Sequence, residues 1–372
     1  MRRISLMRTS PGKKGFSLIE MMVAITVLVI LLGILFTITN TVAKTVVNTS
    51  VKVDTFAAAR AAFDLMSQKL SQATLNTYWD YDNPVSPTVY ERQSDLQFLV
   101  RHNVQNNSGG PASGYGQEVY FTTPCMYSTD STLRSTDGLL NACGFFVAYG
   151  PDTSFRPGSL PATARYRYRL IQGLEPTENL AAYCNWPATP ASSANAATWT
   201  SYWTSMATFW STHAWINNTI GNLGTGAPNT NDTPLVNNVI ALIVWPHLSD
   251  VEDPPGGTYD GSRLTTDYNY DSQNGAMPTS GTQPITANQL PPTVQITMIV
   301  ISETSAARLN MGATPPTVIE NALKGKFVSS KYTQYQADLA SVSTSLSAAH
   351  IAFEILNTSV TMKESKWSDN SQ

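Results

Sequence analysis

Apolar residues follow three different periods along this chain, and each period predicts a different element. From Met21 to Phe36 they form a continuous run, and between Lys14 and Lys44 the only formal charge is Glu20. A run of that length and composition predicts a membrane-spanning helix. From Val46 the apolar positions thin out to Val46, Val53, Phe56, Ala59, Phe63, Met66, Leu70 and Ala73, in steps mostly of three and four. That spacing marks one face of a helix. No proline intervenes before Pro84, so the simplest account is a single helix from about Phe16 to Thr74. At 1.5 Å per residue it would be roughly 90 Å long.

Beyond the helix the period shortens towards two. Asp95–Val100, Glu118–Thr122 and Phe145–Tyr149 are rich in β-prone residues, and turn formers such as 106–111 separate them. Arg165–Ile171 alternates most cleanly and predicts a strand with one solvated face. Val239–Trp245 is apolar throughout, which predicts cover on both faces. Val294–Ile301 alternates first and then turns continuously apolar. Near the C-terminus, Tyr332, Tyr335, Leu339, Val342 and Leu346 return to helical spacing. A period of two then follows at Ile351, Phe353 and Ile355, predicting a strand or bent hairpin through Val360 and Met362. The fold class is therefore α+β: one long N-terminal helix, its first half membrane-spanning, packed on an antiparallel sheet with large loop insertions. Helix and sheet are expected to form one unit, since the apolar stripe needs the strands to cover it.

Charge fixes the orientation. Arg2, Arg3, Arg8, Lys13 and Lys14 all precede the apolar run, and such a cluster stays cytoplasmic while the bulk of the chain crosses the membrane. Glu20 is the anomaly, because an acid at the start of a span is costly and marks a functional site. Cleavage after Gly15 would give Phe16 a free α-amine four residues from Glu20, and in a packed array one subunit's amine could neutralise the next subunit's acid.

Composition then narrows the function. Removing residues 1–15 takes five basic and no acidic residues from totals of 23 and 26, leaving 18 against 26, a net −8. That balance argues against nucleic-acid binding by bulk charge. With only 13% of residues charged, the chain suits a loop-rich β protein outside the cytoplasm. Cys125, Cys143 and Cys184 lack the spacing of a metal site. An oxidising location allows one disulfide, Cys125–Cys143, with Cys184 free; three buried thiols are the alternative.

Catalytic motifs are missing. His102, His213, His247 and His350 stand apart in sequence, without a zinc-binding pair, a nucleophile elbow or a phosphate-binding glycine loop. Two insertions carry other candidate chemistry. Residues Thr189 to Asn218 hold Trp199, Trp203, Met206 and Trp210 on one helical stripe, beside Tyr202, Phe209 and Trp215. They form either a glycan- or protein-docking surface or a satellite helix burying that stripe on the sheet. Asp250, Glu252, Asp253, Asp260, Asp267 and Asp271 lie in a segment expected to be a long loop, which either binds calcium or is merely solvated.

Lys14-Gly15-Phe16-Ser17-Leu18-Ile19-Glu20, with the basic leader before it and the apolar run behind, resembles the class III signal of type IV pilins and type II secretion pseudopilins. The resemblance implies that a prepilin peptidase cuts between Gly15 and Phe16 and methylates the Phe16 amine, and that Glu20 serves assembly. It divides the chain into a leader at 1–15, a transmembrane half-helix at 16–40 and a periplasmic domain at 41–372. Phe63–Leu70, Tyr166–Leu174, Val239–Trp245 and Leu290–Ile296 are similar, in order, to minor pseudopilin J. The general shape and the Lys366-Trp367 ending resemble pseudopilin-like cassette proteins of Verrucomicrobia-type bacteria. The implied role is a non-enzymatic minor pseudopilin of a type II secretion-like system, in the inner membrane with its C-terminal domain in the periplasm. Its partners would be the peptidase, other pseudopilins and an inner-membrane assembly platform. The alternatives are a minor type IV pilin for adhesion or DNA uptake, or a membrane-anchored glycan- or protein-binding module.

Overall fold

A computed structural model describes residues 15, 17–81, 85, 87, 89–102, 115–133, 136–153, 155–157, 163–180, 190–191, 193–212, 231–274 and 283–367. The chain divides into two compact units, Met1–Val51 and Lys52–Gln372. Helix α1, Leu18–Ser71, runs through the boundary. Its 54 residues make it about 80 Å long. In the first unit every described residue of the helix up to Ser50 is exposed.

In the second unit α1 becomes amphipathic later than its spacing suggests. Val46 and Val53 are 61% and 60% exposed, and Phe56 is half-buried. The buried stripe is Ala59, Ala62, Phe63, Met66 and Leu70. Lys52 and Asp54 flank Val53, so the chain there is solvated on every side. Arg60 pairs with Glu354, 294 residues away, rather than with Asp64 on its own helix. The C-terminal end of α1 is fastened at three points. Thr123 Oγ1 donates to the Gln72 carbonyl at 3.2 Å, Thr74 bridges to Thr122, and Lys363 N–H reaches the Ser71 carbonyl at 3.2 Å.

A two-stranded ribbon follows, β1 (Tyr78–Tyr81) with β2 (Tyr90–Gln93). The main sheet begins with β3 (Leu99–His102), β4 (Tyr115–Pro124), β5 (Leu140–Pro151) and β6 (Tyr166–Leu174). Helix α2 (Ala196–Ser211) precedes β7 (Asp232–Asn237) and β8 (Val239–His247). Next come β9 (Tyr270–Asp271), β10 (Thr293–Ile301), α3 (Glu303–Arg308), α4 (Thr317–Leu323), α5 (Tyr332–Ala348) and β11 (Phe353–Thr361). The strand order is β11-β10-β8-β4-β5-β6-β7, with β3 and β9 branching from β4.

Among the described strands every pairing is antiparallel except one. At Tyr115–Gly116, β4 runs parallel to Ala241–Leu242 of β8. That short contact joins the late hairpin-like set β8-β10-β11 to the early set β3 to β7. It depends on a glycine: Gly116 sits at φ +98, and a Cβ there would lie 2.0 Å from the Leu242 carbonyl oxygen.

Several sequence expectations need correction. Asp95 and Leu96 form a bend, Gln97 and Phe98 have no regular structure, and only Leu99 and Val100 of that predicted strand pair. Strand β6 has no solvated face over its centre, because β5 and β7 flank it and its buried run covers Tyr168–Gly173. Of the two readings of the C-terminal segment, strand or bent hairpin, the strand holds, pairing with β10 over nine residues. The Asp-rich segment is a long loop of turns and bends, as expected, except that the two-residue β9 lies in it and pairs with β3. Strand β8 is buried at all nine positions, as its continuous apolarity predicts.

Candidate functional site

The prepilin-like segment is the first candidate. Gly15 is exposed, Phe16 lies outside the described residues along with the leader, and α1 begins at Leu18. Ser17 is thus the residue before the helix and Glu20 its third position. The Ser17 N–H donates to Glu20 Oε2 at 2.9 Å, while the N–H groups of Glu20 and Met21 both reach the Ser17 carbonyl. This is the carboxylate arm of a capping box, in which the third-position acid satisfies an N–H left orphaned at the helix start. The helix dipole favours an acid at the same place. Glu20 therefore has a local partner within its own chain, which softens the cost of placing a carboxylate at the membrane boundary.

The apolar run behind it is built for a low-dielectric surround. Leu18–Ser71 contains a window of mean hydropathy 2.9, long and apolar enough to cross a membrane, and none of that window is buried within the protein. Its hydroxyls are already satisfied. Thr26, Thr37, Thr39 and Thr41 each donate to a carbonyl three or four residues earlier, at 2.8 to 2.9 Å. Lipid offers no such partners, so internal satisfaction is what a spanning segment requires. The N-terminus is a membrane anchor.

The other candidates resolve differently. Cys125 and Cys143 are both free thiols, so the expected bridge between them is absent. Cys143 stands opposite Phe121 in the β4–β5 register, and each thiol has its own neighbour. Lys69 Nζ lies 3.5 Å from Cys125 Sγ, and Gln172 Nε2 lies 3.6 Å from Cys143 Sγ. Burial pushes the Cys143 thiol up to about 12, which keeps it protonated and inert. Cys184 lies outside the described residues.

The acidic segment spends its carboxylates on its own backbone. Asp253 accepts from the N–H groups of Gly261 and Arg263 at 3.0 and 2.8 Å. Asp260 accepts from the N–H of Gly256 and from the N–H and hydroxyl of Thr333. Burial alone would raise the Asp260 carboxyl, but those hydrogen bonds outweigh it and hold the group below the usual range. Among the described residues, no three His, Cys, Asp or Glu side chains are grouped to hold a metal. Asp253 and Asp260 serve to tie the loop.

In the Trp-rich insertion, α2 is capped by Asn195, whose side chain accepts from the Thr198 N–H at 3.0 Å. Met206, Phe209 and Trp210 are buried, and Trp199 packs edge-on against Tyr202 with ring centres 5.7 Å apart. The C-terminal end of the stripe belongs to the core, as a satellite helix requires. Trp215 and the side chain of Trp203 are not described. The described histidines sit in separate elements: His102 ends β3, His247 ends β8 and His350 occupies a positive-φ turn before β11. Burial lowers the His247 pKa, and its Nδ1 lies 2.5 Å from the Leu248 carbonyl oxygen.

Sequence reasoning overlooked an aromatic cluster on the β1–β2 ribbon. Trp79, Tyr81 and Tyr90 are exposed and packed together, with Trp79 and Tyr90 stacked at 5.7 Å. The density of tyrosine and tryptophan over 78–90 was the available signal, but Pro84 and Pro87 disguise the two short strands as loop.

Comparison with known proteins bears on the N-terminus alone. Residues 11–36 match the family model of the prokaryotic N-terminal methylation motif. No curated protein and no solved structure matches the chain.

Proposed function

We propose, from the premise that this chain carries the prepilin-type N-terminus of type IV pilin-like proteins, that it is a minor pseudopilin of a type II secretion-like system. A prepilin peptidase removes residues 1–15 and methylates Phe16. The chain then waits in the inner membrane with its C-terminal unit in the periplasm, and is drawn by an assembly platform into a short pseudopilus with other pseudopilins. The role is structural rather than catalytic. The observation that carries this reading is Glu20, an acid placed at the start of an otherwise uncharged span. A plain anchor for a glycan-binding module would use it as a helix cap alone, without need of its charge. A minor type IV pilin shares the same N-terminus, and a neighbouring set of secretion genes separates the two.

Glu20 has two separable jobs in this account: it caps its own helix, and in the assembly it pairs with a neighbour's α-amine. Glu20→Gln separates them, because glutamine fills the same capping position without the charge. Both Glu20→Val and Glu20→Gln should be cleaved and inserted normally, the lost cap costing only about 1 kcal/mol. Both should enter the assembled fibre at least about tenfold less than wild type, the loss of one buried charge pair. Crosslinking in cells that contain the assembly machinery reads this directly. Wild-type incorporation of Glu20→Gln would show that the cap matters and the charge does not.

A further inference from the structure

The β5–β6 turn, strand β6 and edge strand β7 enclose a cavity of about 390 Å³ that no part of the pilin-like role uses. Its chemistry comes from four arginines: Arg156, Arg165, Arg167 and Arg169. The last three are two residues apart, so the alternation of an extended chain turns them to one side. Against them the cavity sets two carboxylates, Asp152 and Glu303, leaving an excess of two positive charges.

Both acids are already committed. Glu303 Oε1 accepts from Arg167 Nη2 at 3.0 Å and Oε2 from Asn238 Nδ2 at 2.6 Å. Asp152 Oδ1 accepts from the Arg165 N–H at 2.9 Å and lies 3.7 Å from Arg156 Nη1. Arg169 feels the charge of Asp152 but hydrogen-bonds to neither acid among the described residues. It is 5% exposed, and its guanidinium donates only to carbonyls, those of Gly150, Pro151 and Arg165, at 2.8 to 3.3 Å. Phe155 lies beneath it, the ring centre 6.0 Å from the guanidinium carbon. Burial pulls the Arg169 pKa below its ordinary value, and the nearby Asp152 charge offsets this only in part.

Arg165 completes the picture. It is exposed, it lines the cavity, and among the described residues its side chain has no hydrogen-bond partner. The undescribed segments nearest in sequence, 158–162 and 213–230, contain no Asp or Glu, so neither can supply the missing charge. The excess also runs against the rest of the molecule, whose mature chain carries a net −8 by the count of 18 basic and 26 acidic residues.

We propose that this cavity is a binding site for a small molecule bearing a carboxylate or phosphate group and a short apolar portion. Arginine's planar fork matches both oxyanions, and a carboxylate or phosphate gains strong charge-assisted bonds there. Phe155, Leu235 and Val236 supply apolar wall for the remainder of the ligand. The volume falls within the range of small-molecule sites, from about 300 to 1,000 Å³.

The test is calorimetric titration of the mature full-length protein in non-ionic detergent, with inorganic phosphate in one arm and glutarate in the other. Saturable one-to-one binding of either is expected, with a dissociation constant on the order of a millimolar or tighter. Arg165→Ala should weaken it at least about tenfold while leaving the melting temperature unchanged, because that side chain is exposed and unbonded. Lys324→Ala, an exposed cation outside the cavity, should leave binding as it was. Binding of one anion alone supports the site and names its chemistry. Absence of saturable binding for both, or equal weakening by Arg165→Ala and Lys324→Ala, overturns the proposal.

Discussion

Met66→Asp should unfold residues 52–372 as a whole. Met66 lies fully buried in the stripe of α1, in one continuous core with residues of β4, β5, β8 and β10. Truncating a buried methionine costs about 2 to 5 kcal/mol, and an unpaired carboxylate in its place adds several more. A domain's net stability is only about 5 to 15 kcal/mol, so one substitution is enough to abolish the fold. Limited proteolysis of the detergent-solubilised chain reads the result. Wild type should leave a resistant core spanning the second unit, and Met66→Asp should be digested throughout. A stable fragment beginning near Arg165 would mean that the late strands fold without the helix, and the single-unit architecture would be wrong.

Among the described glycines, Gly116→Ala should be the most damaging change. The added Cβ would meet the Leu242 carbonyl oxygen at 2.0 Å, and the φ of +98 disfavours any L side chain. Both costs fall on the short parallel register in which β4 pairs with β8. A loss of about 3 kcal/mol or more is expected from strain plus overpacking. Gly138 is the control, since its φ is also positive, at +75, but a Cβ there meets nothing within 4 Å. Gly138→Ala should cost only about 1 kcal/mol, the backbone term alone. Denaturant midpoints of the two variants should therefore differ clearly, and equal midpoints would remove Gly116 from its place as the junction of the sheet.

Much of this fold was legible because strong periodicity leaves little freedom. The membrane run, the stripe from Ala59 to Leu70 and the fully buried β8 all follow from apolar spacing, and the change of pattern within Val294–Ile301 reappears as the burial of β10. What the sequence hid was short or mixed. Strand β7 contains Pro234 and only two large apolar residues, so nothing in its pattern announces an edge strand. Strand β9 is two residues long and is held by pairing with β3, while Asp253 and Asp260 tie the preceding loop through backbone N–H groups, and no periodicity records either. Val53 failed for the opposite reason. It keeps the spacing of the stripe, but no strand reaches it.

The candidate site divides in the same way. Gly15, Phe16 and Glu20 are legible because a linear signal must be read in an extended chain by an enzyme. The capping bond from Ser17 to Glu20 was equally available as a Ser-x-x-Glu pattern at a helix start. The arginine cavity was not, because the alternation of Arg165, Arg167 and Arg169 reads as a solvated strand face until β7, Phe155 and Glu303 are seen to close over it.

The central claim is that a prepilin peptidase processes this chain, and the mass of the mature protein tests it most directly. Intact-mass and N-terminal analysis of protein extracted from membranes that contain the peptidase should give a chain beginning at Phe16 and carrying one added methyl group. A mature terminus at Met1, or one beyond Thr37, would contradict the account.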